Sequence, residues 1–190
     1  MNSRKEILKS LKRNKNKDIT IQEDFVFGSN KTKAELIDEF KERLSSVGAL
    51  NTELNGEKEA AEFIRENFDS ALNFDDPAVW HEYSADCPVS KLEKIKVAVL
   101  KGRLGVAENG AVWIDERNFP HRLIPFAAQQ VVIILNQDDI VSDMHEAYRE
   151  INLEDTGYGV FISGPSKTAD IEQSLVYGAH GPNQLHLILV

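Results

Sequence analysis

Apolar positions repeat at helical spacing through the first third of the chain and then gather into short runs. Residues 4–13 place Ile7, Leu8 and Leu11 on one stripe, which predicts a first helix ended by the polar stretch 14–18. Phe25, Val26 and Phe27 offer an apolar anchor against the body. Thr32 opens a second helix, in which Leu36, Ile37, Phe40 and Leu44 share a face and Glu35 completes a capping box. Gly48 is its expected stop. A third helix is expected over 58–67, with Ala60, Ala61, Phe63, Ile64 and Phe68 as its apolar set.

Beyond this point the runs at 79–80, 97–100, 111–114, 131–135, 160–162 and 185–190 are short and rich in β-branched residues. Several hold apolar residues back to back, as strands buried on both faces do. Two intervening stretches read as helices, 140–151 and 169–176. Strands alternating with helices predict an α/β fold, with a mostly parallel sheet carrying helices on both faces. The expected division is an N-terminal helical arm over 1–45 and an α/β domain over 46–190. Val190 is expected in the last strand.

Composition narrows the classes. Of 190 residues, 42% are hydrophobic and 28% charged, as in an ordinary globular protein. Cys87 is the one cysteine, so the chain alone makes no internal disulfide, Cys-rich zinc site or iron–sulfur cluster. No apolar run approaches the ~18 residues of a membrane span. The N-terminal stretch lacks the uninterrupted apolar core of a secretory signal, so a cytoplasmic location is expected. Net charge is −9, yet residues 1–17 hold seven basic side chains and one acid. An acidic body argues against nucleic acid as partner, because phosphate contacts need clustered Lys and Arg. The basic arm suits a solvated surface helix, an acidic partner, anionic lipid or the protein's own acidic body.

Several standard motifs are absent. There is no G-x-G-x-x-G and no G-x-S-x-G. In "GPSKT", Ser166 stands where a P-loop has glycine, and in "HEAYR" Arg149 stands where a zincin has its second histidine. Three segments remain. Residues 160–190 read as strand, tight turn, helix, Gly-rich loop and strand. Gly164 and Pro165 would make the turn, and Ser166 or Thr168 would cap a helix whose free N–H groups, with Lys167, attract an anion. Asp170 and Glu172 in the first turn work against an anion, and Ser, Thr and Asp also start helices that bind nothing. In open α/β sheets ligands settle beyond the carboxyl ends of strands, where this turn is expected. Glu108 interrupts the apolar stretch 105–114. It suits a base, a carboxylate nucleophile or a hydrogen-bond acceptor, while Glu108-Asn109-Gly110 equally suits a plain hairpin turn. His180 lies between glycines, as a proton carrier facing a cleft or as a turn histidine.

Taken together, "GVAENGAVWI", "IPFAAQQVVIIL" and "SGPSKTADIEQSLVYGAHGPNQLHLILV" resemble the lactate-utilisation (LUD) domain family, of the short lactate-utilisation protein C (LutC/YkgG) type. That family shows an Ala-Glu-Thr-Gly-like element, a Pro leading into a strand, a Gly-Pro-Ser-Arg/Lys-Thr-Ala-Asp-Ile-Glu run and Gly-x-His-Gly-Pro. Residues 107–110, Pro125, 164–172 and 178–182 match these in order, and the likeness covers about 95–190. The resemblance implies a fold similar to the NagB/RpiA/CoA-transferase group and a LUD-type domain over 46–190. It also implies a role in oxidising L-lactate to pyruvate with iron–sulfur partner proteins, which would hold the clusters. No cofactor or metal is expected on this chain. The expected ligand is a small anion held by Gly164, Pro165, Ser166, Lys167, Thr168 and Asp170, with Glu108 and His180 as the catalytic candidates. Asn109 stands where the family has Thr, and Glu-Asn-Gly resembles the nucleophilic-Glu motif of some CoA transferases. A carboxylate-dependent acyl or CoA transferase, and a structural assembly subunit, therefore stand as alternatives. The three segments are expected to converge on one cleft.

Overall fold

The computed structural model describes residues 3–13, 30–152, 156–169, 175–178 and 181–190. The chain begins with α1 (Ser3–Arg13) and α2 (Lys33–Ser46), then β1 (Leu50–Glu53), α3 (Glu57–Asn67) and β2 (Ala71–Asn73). Next come α4 (Pro77–Glu82), α5 (Val89–Leu92), β3 (Val97–Lys101), β4 (Leu104–Val106) and β5 (Ala111–Asp115). They are followed by α6 (Ile124–Ala127), β6 (Gln130–Leu135), a 3-10 turn (Gln137–Asp139), β7 (Ile140–Val141) and α7 (Met144–Glu150). Then come β8 (Gly159–Ile162), β9 (Lys167–Ala169), β10 (Leu175–Tyr177) and β11 (Gln184–Leu189).

Helix α2 starts as its sequence dictates. The Thr32 side chain accepts from Glu35 N–H, and Glu35 reaches back to the Thr32 N–H at 2.7 Å, closing a capping box. Its apolar face is driven inward, and Phe40 and Leu44 are fully buried. Residues 45/46, the expected domain division, lie at its C-terminal end. Residues 4–10 of α1 are all exposed, Ile7 and Leu8 included.

Strands β1, β11, β6, β3 and β2 form, in that order, a sheet whose neighbours are all parallel. This is the α/β architecture that the alternation predicted. A second sheet, ordered β7-β4-β5-β8, was not anticipated. Its β4–β5 and β5–β8 pairs are antiparallel, and β4–β7 is parallel. The two sheets face each other. Leu100, Ile133, Leu135 and Leu187 of the first meet Val112 and Ile114 of the second, with Phe40 and Leu44 at one side. On the first sheet's other face, Val97, Val99, Val132 and Ile188 pack on Ala60 of α3. Beyond the second sheet, Leu104, Val106 and Trp113 pack on Ala147 of α7. Parallel strands covered on both faces need continuous apolar runs, which is why these strands show little alternation.

Three local expectations are corrected. Residues 79–80 belong to α4, because Asp76 caps it, accepting from Ala78 N–H at 2.8 Å, with Pro77 in its first turn. The helix expected over 140–151 is split. Asp143 accepts from Glu146 N–H at 2.8 Å and starts α7 there, leaving Ile140 and Val141 to pair with β4. The helix expected over 169–176 is replaced, at its described residues, by the antiparallel pair β9–β10, with Thr168 opposite Val176. The Leu175-Val176-Tyr177 run favours a pleated partner over a helix. Val190 follows β11, and its N–H still donates to Leu135 O at 3.0 Å.

His186 projects from β11 toward α3, between Phe63 and Phe68 at ring separations of 5.7 and 5.5 Å, with Thr52 Oγ1 2.8 Å from its Nε2. Burial among these rings disfavours the imidazolium and holds its pKa below the ordinary 6.5. The unfolded chain therefore binds this proton more readily. Its contribution to stability is complete above pH 6.5 and is lost as pH falls from there through the folded pKa. Urea midpoints should fall between pH 7.5 and 5.5, and His186→Leu should flatten that dependence. Phe40→Ala should cost about 3–5 kcal/mol, as for other buried aromatic residues, measured by denaturant unfolding at pH 7.5.

Candidate functional site

Glu108 sits at the tip of the β4–β5 hairpin. Gly110 N–H donates to Val106 O at 2.9 Å, and Asn109 Oδ1 accepts from Ala111 N–H at 3.0 Å. Gly110 takes φ +65°, and a Cβ there would lie 2.8 Å from the Leu44 backbone nitrogen. The turn is thus seated against the last turn of α2, and only glycine permits that approach. The Glu108 backbone donates to Ser142 O at 3.1 Å, while its side chain lies exposed. The hairpin-turn reading of Glu-Asn-Gly is the geometry observed.

The second segment is joined to this turn. Ser163 Oγ donates to Asn109 O at 2.8 Å. Gly164, at φ +80°, lies against the end of α2, where a Cβ would approach Val47 O to 2.7 Å. Pro165 is buried, Ser166 is half-buried and Lys167 is exposed. Ser166 uses its backbone to bridge loops: its N–H donates to Pro182 O at 2.8 Å, and its O accepts from Gly178 N–H at 3.0 Å. Ser166 therefore caps no helix, and residues 167–169 are the strand β9. Among the described residues, no helix starts at Ser166 or Thr168. Lys167 and Thr168 stand opposite Tyr177 and Val176 in the β9–β10 ladder. Asp170 and His180 lie outside the described residues.

The position in the fold is also corrected. Asn183 N–H donates to Gln129 O at 2.8 Å, just before β11 and β6 begin, and Val47 shortly precedes β1. The cluster therefore lies at the amino ends of the parallel strands, opposite the expected carboxyl ends. The turn follows β8, and β8 belongs to the second sheet. The structure brings together the Glu108 turn, residues 163–166 and the 181–182 loop. A groove of about 450 Å³ opens beside them, with Leu123, Phe126, Gly178 and Gly181 in its wall. Glu108 does not line that groove.

The open end of the same hairpin carries a charged group that the sequence reading missed. Asp115 is fully buried. Its Oδ1 accepts from Arg117 Nε at 3.0 Å and its Oδ2 from Arg117 Nη2 at 2.8 Å, while Arg103 Nε lies 3.4 Å from Oδ2. Burial pushes this carboxyl up, but the Arg117 hydrogen bonds and the charges of Arg117 and Arg103 outweigh it and hold the pKa below the usual aspartate value. Arg103 lines two clefts. One of about 370 Å³ includes Trp113, Arg117 and Asp139, and one of about 630 Å³ includes Lys101, Asn118 and Asn136 at the ends of β3 and β6. The signal was present in the sequence: with Glu-Asn-Gly read as the turn, Arg103 and Asp115 fall on facing strands near the open end. Among the described residues no group of His, Cys, Asp and Glu is arranged to hold a metal, and no helix is long and apolar enough to cross a membrane.

Comparison with known proteins follows the same lines. "Lactate utilization protein C" of Shouchella clausii is 31% identical over 119 residues, which is 60% of this chain and 52% of the relative. The protein of that name from Halalkalibacterium halodurans is 30% identical over 127 residues, 64% of this chain and 55% of the relative. The chain thus spans about half the length of these curated relatives. The crystal structure of a DUF162 family protein from Deinococcus radiodurans superposes with a TM-score of 0.66, covering 84% of this chain and 99% of that one. At 18% identity that likeness establishes the fold. The LUD domain family profile matches residues 25–190, so the chain belongs to the LUD domain family.

Proposed function

We propose that this chain is a subunit of a lactate-utilisation system and supports oxidation of L-lactate to pyruvate alongside iron–sulfur partner proteins. The observation that carries the reading is the match to several relatives named lactate utilization protein C across about 60% of the chain. The chemistry agrees. Conversion of a hydroxy acid to a keto acid releases two electrons and two protons, and clusters that accept electrons are commonly held by four thiolates. With one cysteine, this chain relies on partners for that task. Its own contribution is to bind a small anionic ligand where the Glu108 turn, residues 164–168 and the 181–182 loop meet. Lys167 supplies the positive charge there.

A structural assembly role is favoured by one observation, the backbone bridge of Ser166 to Pro182 and Gly178, which gives this motif an architectural use. No comparable observation favours the transferase reading. Its nucleophile, Glu108, is exposed at a turn tip and lines neither the groove beside it nor the clefts around Arg103.

Deleting the gene should abolish growth on L-lactate while leaving growth on pyruvate intact, and the tagged protein should co-purify with cluster-bearing, coloured partners. Undiminished growth on L-lactate would remove the proposal. Lys167→Ala should weaken binding of the small anion about tenfold to a hundredfold, the value of one charge-assisted hydrogen bond. Calorimetry with phosphate, L-lactate and CoA reads this out. Unchanged affinity for all three would leave the assembly role as the better reading.

A further inference from the structure

At the open end of the β4–β5 hairpin, away from the Glu108 turn, the cleft of about 370 Å³ on the outer side of the second sheet has a definite chemistry. Besides Asn152 and Thr156, its lining divides into three parts. Arg103 and Arg117 are held at its wall by the buried Asp115. Asp138, Asp139 and Glu150 face the same space, and all three are exposed. Leu104, Trp113, Val141 and Ile151 supply apolar surface.

Charge decides what fits. A guanidinium has five N–H donors in a rigid fork, and Asp115 engages Arg103 at Nε. The terminal amino groups of Arg103 are therefore suited to a carboxylate, and Asp115 fixes their position beforehand. A simple anion would nevertheless meet Asp138, Asp139 and Glu150. A simple cation would meet the arginines. A molecule with both charges close together satisfies both walls, and the apolar lining accepts a hydrocarbon side chain. We propose that this cleft binds a free α-amino acid with an apolar side chain, its carboxylate on Arg103 and its ammonium among Asp138, Asp139 and Glu150. This site is independent of the anion assigned to the Glu108 turn, since it lies at the other end of the hairpin.

The test uses the full chain and three probes titrated by calorimetry: L-leucine, its hydroxy analogue 2-hydroxy-4-methylpentanoate, and 3-methylbutylamine, which lacks the carboxylate. Leucine should bind, and each analogue should bind at least about tenfold more weakly, the scale of one lost charged contact. Asp139→Asn, at an exposed position, should weaken leucine and leave the hydroxy acid unchanged. Arg103→Gln should weaken leucine by about tenfold to a hundredfold. Should Arg103→Gln also lower the melting temperature, the Asp139→Asn result and the probe ranking decide. Equal affinity for the hydroxy acid or for the amine would overturn the proposal. Leucine binding indifferent to Asp139→Asn, or no leucine binding at millimolar concentration, would overturn it as well.

Discussion

Between the two sheets there is no room for a Cβ at Gly102 or Gly105. A Cβ on Gly102 would stand 2.7 Å from Val112 Cγ1, and one on Gly105 would stand 2.8 Å from Leu135 Cδ2 and 3.0 Å from Phe40 Cζ. These contacts lie inside a packed core, where neighbours have little freedom to withdraw. The missing side chains let the chain leave β3 and lay β4 back over the parallel sheet. The placement of β5, β7 and β8 follows from that of β4, because each is laddered to it directly or through one strand. Both the Glu108 turn and the Arg103–Asp115–Arg117 group ride on this one hairpin.

The two ends of the hairpin differ in physical character. At the turn, polar groups are exposed and the backbone does the positioning, through Gly110 on α2 and Ser163 on Asn109. At the open end, a buried carboxylate holds two half-exposed guanidiniums. An isolated carboxylate at that depth is costly, and Asp115 is tolerated because its oxygens are occupied by charged donors. Loss of either arginine would leave a buried charge undercompensated, so this group resists piecemeal change in a way the solvated turn does not.

The LUD family assignment and the geometry bear on different questions. Family membership joins this chain to proteins named for lactate utilisation, while the geometry shows which groups are available for binding. Ser166, Gly178, Pro182 and Asn183, from the motif-rich part of the chain, knit the amino ends of the parallel strands together. A conspicuous motif can serve architecture and chemistry at once, since the backbone groups that bridge loops leave side chains such as Lys167 to act separately.

Much of this was legible in the sequence, for local reasons. The Thr32–Glu35 capping box acts within one helical turn, the Glu-Asn-Gly turn needs only its own backbone preferences, and the apolar runs of β3, β6 and β11 report burial on both faces. The family resemblance was likewise carried by short ordered motifs. What tertiary structure alone decided concerns partners distant along the chain. Residues 167–169 are strand because β10 stands opposite them and because the Ser166 backbone is held by Pro182 and Gly178. The second sheet exists because glycine gaps admit it over the first, and the motif cluster lies at the amino ends of the strands because β8 belongs to that second sheet. Local propensity weighs tenths of a kcal/mol per residue, roughly, and long-range pairing and burial outweigh it. The sequence by itself therefore determined the α2 capping box, the Glu-Asn-Gly turn and the buried apolar runs, while only the fold decided which end of the sheet each of them reached.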